Sequence, residues 1–464
     1  MKILYLTNGM SSTLNSSFEL SRLLLAAGHE VSYASPADVS QQVEAQGHPF
    51  HPLSGDRTFQ ELVHDDPAFW STVTRPRNAL RWLARRRRIR RQSIANDEIE
   101  RLVGRLAPDV LLIDIEMHFA ILATAAAKIP TLLPIVWFSI FRRPGVPPLH
   151  TDGMPGGTPA RRRAITRAWW RLRLETLHME LRQAWSRFRR GDLLPPVPYD
   201  TVRYADLRAL ARDRGLPLRR IVSRAHWLRP ALYRNLPVLC FNAWEMEFPQ
   251  SPHPNLHYVG PMIARQRRET QIDPASTERW QRFRDQRDPG RPLIYCSLGT
   301  YWSADEAFLR RVLDVFDRRN DWDLVLGLGG KLAAEALAPL PSNALVLDFA
   351  PQLDVLEIAS CAITHGGITT LNECVALQVP MVVYSTHYVD QDGCAARIAF
   401  HGLGLVANKD RDSSQDLERN VERALSEPNL RRNLAAMRRH FDAYERSNAA
   451  VRLIERVAAD PPNQ

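Results

Sequence analysis

Twice along this chain, short apolar runs alternate with stretches of helical spacing. In the first block KILYLTN (2–8) is followed by a helix carried by LSRLLLAA and closed by Gly28, then by EVSYAS (30–35). Ser16 with Glu19 reads as the capping box of that helix. VLLID (110–114), a helix over FAILATAAA and TLLPIVW (131–137) continue the series. Runs that are apolar throughout suit strands covered on both faces, as in a parallel sheet. Parallel strands need crossover connections, so the alternation predicts a doubly wound α/β domain. A second block repeats it with LIYCSLG (293–299), a helix over 304–318, DLVLGLG, NALVLDF, CAITH and PMVVYS. Three helical segments between about 414 and 458 close the chain.

Between 140 and 235 the pattern dissolves into a basic, tryptophan-rich helical stretch broken by LLPPVP, and PVLCFN and HYVGPM restore it. A polar segment, ARQRRETQIDPASTERWQRFRDQRDPGRP, reads as an interdomain linker ending in a short helix. A chain of 464 residues exceeds what one core ordinarily supports. The expected division is 1–250, with 140–235 as a helical insertion, then 260–440, then 441–464. With 45% hydrophobic and 24% charged residues the composition is globular, and no apolar run approaches a spanning length. The first residues read as a strand rather than a signal peptide. Five cysteines without paired or metal-type spacing suit a reduced, cytoplasmic setting.

The segment ITHGGITTLNE (363–373) carries the chemistry. CAITH is a strand and TTLNECVALQ the helix after it. Gly366 and Gly367 let backbone amides approach a ligand at the strand's carboxyl end. The unpaired amides of a helix N-terminus bind anions. Thr369, Thr370 and His365 add side-chain donors, and Glu373, one turn in, can accept from both hydroxyls of a ribose. Glycines and threonines alone would serve any strand–turn–helix, but His365 and Glu373 are not needed to turn a chain. The set points to a nucleoside diphosphate.

The longer run 349–404, from FAPQLD through ITHGGITTLNE to HYVDQDGCAARIAFHGLG, resembles the donor-binding signature of nucleotide-sugar-dependent glycosyltransferases of GT-B fold. The likeness is to the UDP-glycosyltransferase type that includes bacterial macrolide and carotenoid enzymes. It implies an α/β architecture of two facing Rossmann-like doubly wound parallel-sheet domains with a cleft between them, the last helix crossing back to the first domain. It also implies roles. Phe349 stands at the base-stacking position and Gln352 near the nucleoside. His365 and Thr370 match the diphosphate ligands, with Gly367 and Thr369 supplying amides. Glu373 matches the ribose carboxylate, Asp390 and Gln391 the pair holding sugar hydroxyls, and Ser297 and Thr300 approach the phosphates. The implied reaction is inverting transfer of a hexose from a UDP- or dTDP-sugar to a hydroxyl of a small acceptor, with no cofactor and no metal. Glu373 favours UDP.

The family's usual base is a histidine after the first strand, supported by an aspartate. An ungapped count places that position on Thr13, which cannot act as a general base at neutral pH. Asp114 matches the supporting aspartate, and Glu116 and His118 stand beside it. The substitute base is Asp114, Glu116 or His118, in that order, set against a purely structural part for Glu116 and His118 at the following helix. A weaker base would favour acidic acceptors such as phenols. The net charge of +10 resides largely in 74–92 and 161–190, where Trp82, Trp169, Trp170 and Trp185 are interspersed. A solvated helix face comes first as its explanation and contact with an anionic membrane second, which would put the protein peripherally at the inner membrane face and suit a lipophilic acceptor. No nucleic-acid motif accompanies the charge. Three other readings are a nucleotide-sugar-binding homologue that has lost transfer and serves as an auxiliary protein, an epimerase of the same fold, and a Rossmann dehydrogenase. The last lacks a G-x-G-x-x-G after its first strand.

Overall fold

The structure is a computed structural model and describes residues 1–53, 98–138, 140–189, 204–223, 232–299, 305–330 and 332–460. Thr300 and the basic segment 74–92, with Trp82, lie outside these residues, as does the side chain of Trp185.

The first half contributes strands β1 (Lys2–Leu6), β2 (Glu30–Ser35), β3 (Phe50–Pro52), β4 (Val110–Ile113), β5 (Thr131–Ile135), β6 (Val222–Ser223), β7 (Leu232–Tyr233), β8 (Val238–Cys240) and β9 (Leu256–Tyr258). Seven of them form one sheet in the order β3-β2-β1-β4-β5-β8-β9, with every pairing parallel. β6 and β7 pair antiparallel apart from it. The second half contributes β10 (Leu293–Ser297), β11 (Asp323–Gly327), β12 (Ala344–Leu347), β13 (Cys361–Thr364), β14 (Met381–Tyr384) and β15 (Gly404–Ala407). These form a second sheet, β12-β11-β10-β13-β14-β15, again wholly parallel.

Both sheets reverse their winding once, between β1 and β4 in the first and between β10 and β13 in the second. In open α/β sheets a ligand binds outside the carboxyl ends of the strands at that reversal. The register places Leu6 opposite Ile113 and Ser297 opposite Thr364, so the loops after these four residues stand side by side in pairs. They hold the site described below.

The strands are buried because helices cover both faces. In the second sheet alternate residues divide between two apolar clusters. Ile294, Cys296, Leu324 and Leu326 pack beneath helices Glu306–Arg318 and Ser414–Ser426. Leu293, Tyr295 and Val325 join a cluster that continues through Leu371, Val375 and Phe441 into the first sheet. The C-terminal helices Pro428–Ser447 and Ala449–Ala459 carry this continuity. The Trp244 backbone N–H donates to the Tyr444 hydroxyl at 3.2 Å, and His29 meets Glu455 at 3.1 Å. All five cysteines are buried and free.

Two local expectations are corrected. The first crossover helix begins at Ser11 rather than near Ser16. Ser16 lies inside it, its Oγ donating back to the Ser12 carbonyl at 3.0 Å, and Glu19 pairs with Arg22. Serine hydroxyls satisfied one turn back sit in a helix interior without capping it. In the middle of the chain, Pro159–Arg189 is one continuous helix of 31 residues. Among the described residues no helix is long and apolar enough to cross a membrane.

Candidate active site

A cleft of about 380 Å³ separates the two sets of loops. On the second-domain side the strand β13 ends at Thr364 and the helix Ile368–Ala376 begins four residues later. Gly366 turns the chain at φ +89°, a region that costs a side chain dearly. The helix cap is Gly367, whose position offers no side-chain acceptor to the first amides. They are left for a ligand, reinforced by the helix dipole. The Thr369 hydroxyl is buried at the cleft wall without a hydrogen-bond partner.

The imidazole of His365 is wedged between two glycine backbones. A Cβ at Gly367 would lie 2.5 Å from its Nε2, and one at Gly299, where φ is +74°, 2.7 Å from its Cε1. Burial lowers its pKa to about 4, against a hydrogen bond to the Ser297 backbone that raises it, so the ring is neutral at pH 7. Gly299→Ala is therefore expected to displace the ring. Nucleotide affinity should fall at least about tenfold, with a stability cost of about 1–3 kcal/mol for the left-handed backbone. Calorimetric titration with UDP and urea unfolding check both.

Deeper in the cleft Glu373 is 1% exposed and both its oxygens are engaged. Oε1 accepts from Arg267 Nη1 at 3.0 Å, and Oε2 accepts from Gln352 Nε2. Gln352 also donates to Thr370 Oγ1 at 3.3 Å and accepts from the Tyr295 hydroxyl at 3.0 Å. Arg267 completes the chain through Glu269 at 2.6 Å. Arg267 and Tyr295 are cleft residues that sequence reasoning missed. Arg267 sat within a linker read as merely polar, and its one signal was the alternation of charge in ARQRRET. Glu373 is thus the centre of a hydrogen-bonded ion-pair network at the cleft.

Asp390 and Gln391 begin the helix Gln391–His401 and line the same cleft. Gln391 Oε1 accepts from the Thr386 amide at 3.0 Å and its hydroxyl at 2.6 Å, which leaves Nε2 for a ligand oxygen. Burial raises the Asp390 pKa to about 6, partly offset by the thiol of Cys394, which donates to it at 3.2 Å. Phe349 also lines the cleft, its ring resting on Gly330, where a Cβ would approach to 2.7 Å. Ser297 lies at the end of β10, accepting from the Gly299 amide at 3.3 Å.

Across the cleft, Met10, Ser11, Ser12 and Asn15 form the rim with Glu116, Val136 and Trp137. Thr13 lies in the first turn of its helix, donating to the Met10 carbonyl at 2.9 Å and to Asn8 at 3.3 Å. Its hydroxyl neighbours Asp114. Asp114 is 3% exposed and lies just behind the rim. Burial pushes its pKa up to about 6, while the Glu116 and Asn8 amides and Thr13 pull against that. Glu116 opens onto the cleft. Partial desolvation of its carboxyl at the cleft, and then the charges of Asp114 and Asp390, raise its pKa to about 8.

His118 is placed elsewhere. It is 2% exposed in the core, with Nδ1 3.1 Å from the Tyr233 hydroxyl, and does not line the cleft. As the first residue of the helix His118–Thr124 it turns inward with that helix's apolar face. Among the described residues no group of three or more His, Cys, Asp or Glu is arranged to hold a metal ion.

Two parallel-sheet domains with facing reversal points, joined by returning C-terminal helices, define the GT-B glycosyltransferase fold, and comparison with solved structures agrees. The kitacinnamycin glycosyltransferase superposes with a TM-score of 0.66 at 21% identity, covering 98% of both chains. The glycosyltransferase VinC, solved with dTDP, gives 0.60 at 19% identity over 98% of this chain and 100% of its own. Residues 221–444 match the family described as UDP-glucoronosyl and UDP-glucosyl transferase. Demethyllactenocin mycarosyltransferase of Streptomyces fradiae is 35% identical over 183 residues, which are 39% of this chain and 36% of that protein. Zeaxanthin glucosyltransferase of Pantoea ananas is 28% identical over 216 residues, 46% of this chain and 47% of that protein. The chain thus aligns with less than half the length of these curated relatives.

Proposed function

We propose that this protein is an inverting, metal-independent glycosyltransferase that moves a hexose from a UDP-sugar, or a dTDP-sugar, to a hydroxyl of a small lipophilic or phenolic acceptor. The observation that carries this reading is the pairing across one cleft of an anion site with a base. The anion site is the Gly367-capped helix end with His365 and the unpartnered Thr369 hydroxyl. The base is the Glu116 carboxyl.

In this mechanism the diphosphate lies against the amides of residues 367–370, with Thr369 and Thr370 donating hydroxyls. The ribose meets Glu373 and the base stacks on Phe349. The sugar lies between Gln391, Asp390 and the rim. Glu116 takes the acceptor proton as the acceptor oxygen attacks the anomeric carbon. The electron pair of the breaking bond leaves with the diphosphate, whose growing charge is met by fixed amides and hydroxyls. Such preorganised donors are worth about 2.7–4 kcal/mol each where one has been removed. Asp114 stands behind Glu116 and holds its basicity up by charge. The Glu116 backbone amide donates to Asp114 and helps keep it ionised, while Thr13, in the place of a histidine, directs its hydroxyl to the Met10 carbonyl. The homologue without transfer activity, favoured by Thr13 alone, loses ground to Glu116.

Calorimetric titration with UDP and with dTDP, on wild type and Glu373→Gln, tests the donor site. UDP should bind the wild type and weaken about tenfold or more in the variant, the loss of charged hydrogen bonds worth ~1.5–3 kcal/mol. Preference for dTDP would turn the donor toward a deoxysugar. Binding of neither nucleotide would sink the assignment.

A further inference from the structure

The basic helix Pro159–Arg189 plays no part in the cleft chemistry, yet its surface is strongly organised. Its inner face is anchored. Ile165, Trp169 and Leu172 are buried, Trp169 Nε1 donates to the Val146 carbonyl at 2.9 Å, and the Arg142 guanidinium lies 5.8 Å from the Trp169 ring. The opposite face holds Trp170, Leu174, Leu177 and Leu181, which are 56%, 62%, 53% and 59% exposed. Their spacing of four, three and four residues sets them in one stripe along the helix. Single exposed leucines are ordinary, but a continuous stripe of three with a tryptophan is not.

Arginines border this stripe on both sides. By helical position Arg167 and Arg171 fall on one flank and Arg162 and Arg173 on the other, with Arg163 in line at its N-terminal end. All five are exposed, and Arg173 lies 5.5 Å from the Trp170 ring. Among the described side chains of this helix Glu175 is the acidic one, and it stands toward the far side. A solvated face would not place its largest apolar side chains outward, and a nucleic-acid surface would not centre on leucines. An apolar stripe between cationic flanks matches the layering of an anionic bilayer surface, with phosphates outside and acyl chains beneath.

We propose that this face of the helix Pro159–Arg189 is a docking surface for an anionic lipid bilayer, with Trp170, Leu174, Leu177 and Leu181 entering the headgroup boundary and the flanking arginines pairing with lipid phosphates. The loop under the helix, 140–158, packs against the second domain. The backbone of Leu149 lies where a Cβ on Gly393 would approach to 1.9 Å, and Gly393 is in the helix that begins with Gln391. Docking does not rest on the proposed transferase function.

Flotation of the full chain with vesicles tests docking independently of activity. Vesicles of phosphatidylcholine with roughly a third phosphatidylglycerol should carry the protein up, and pure phosphatidylcholine vesicles should not. Leu174→Ser/Leu177→Ser/Leu181→Ser should lower the partition coefficient about tenfold or more. Arg163→Gln/Arg167→Gln/Arg171→Gln should abolish the difference between the two lipids. Unchanged UDP titration in both variants shows that they fold. Failure of the wild type to float with anionic vesicles overturns the proposal, as does flotation unaltered by the serine triple variant. It is also overturned if light scattering finds a wild-type dimer that the serine variant dissociates and neither floats, for the stripe then joins two copies of this chain.

Discussion

Glu116→Gln is expected to lower kcat by about 10²–10⁴-fold, the usual contribution of a positioned general base, and to leave UDP affinity unchanged. The reason is geometric: Glu116 stands on the rim opposite the phosphate site and touches none of its donors. The pH profile gives the stronger check. Glu116 carries a pKa raised to about 8 and Asp114 one raised to about 6, and the two titrate as an interacting pair. Only the ionised Glu116 removes a proton, so kcat/KM should climb with pH between about 6 and 8 and level off above. Asp114→Asn removes a negative neighbour, which lowers the Glu116 pKa and shifts that limb to lower pH. Stability runs the opposite way. A carboxyl raised in the folded state contributes stability below its unfolded value and loses it as pH rises through the folded one. Glu116→Gln should thus be no less stable than wild type at pH 8, which separates lost catalysis from lost folding. Its residual rate should be larger on a phenol than on an aliphatic alcohol, because a phenol of pKa ~10 ionises without help. Equal losses on both acceptors, or an unchanged pH limb in Asp114→Asn, would remove Glu116 from the base role.

What made this architecture legible was local. Apolar runs such as VLLI and CAIT are buried at all four positions, and a strand of that kind admits few neighbours other than parallel ones. Once the strands are placed, the winding rule alone sends the residues after Ser297 and Thr364 to one spot. The structure brings His365, Thr369, Thr370, Glu373, Asp390 and Gln391 to one cleft for the same reason: they follow strand ends. The features that were not legible depend on partners distant in sequence. Arg267 became a cleft residue because the linker folds back onto Glu373, 106 positions away. Propensity could not distinguish His118 on the cleft wall from His118 in the core, since which helix face turns inward is set by Tyr233 and the layer beneath. The capping box at Ser16 failed because two further serines and a threonine upstream offered the helix an earlier start, and tertiary burial of Leu14 favoured it. The apolar stripe on 170–181 was hidden by arginines that interrupt it in sequence but not along the helix.

Arg397→Met should produce the largest loss of stability, about 3–5 kcal/mol, because it strands a buried charge. Arg397 and Glu247 are each 1% exposed, and the guanidinium donates to Glu247 Oε2 through Nε at 2.9 Å and Nη2 at 2.7 Å. The Tyr258 hydroxyl donates to Oε1 at 2.9 Å, and the guanidinium lies 4.4 Å from the Phe248 ring and 4.8 Å from that of Phe138. Glu247 lies between β8 and β9 of the first sheet and Arg397 lies in the helix Gln391–His401 of the second domain, so the pair fastens one domain to the other. It does so two turns from the end of the helix that holds Asp390 and Gln391, and thereby sets their distance from Glu116. Urea unfolding measures the cost. Arg397→Met combined with Glu247→Leu should recover much of it, since a buried pair replaced by apolar groups is often near neutral. The recovered double variant should still show a raised KM for the donor sugar with UDP affinity unaltered, because in the proposed mechanism Asp390 and Gln391 meet the sugar while the nucleotide is held at the end of β13 and the helix after it. If the double variant regains stability and KM together, the pair holds the fold without positioning the site.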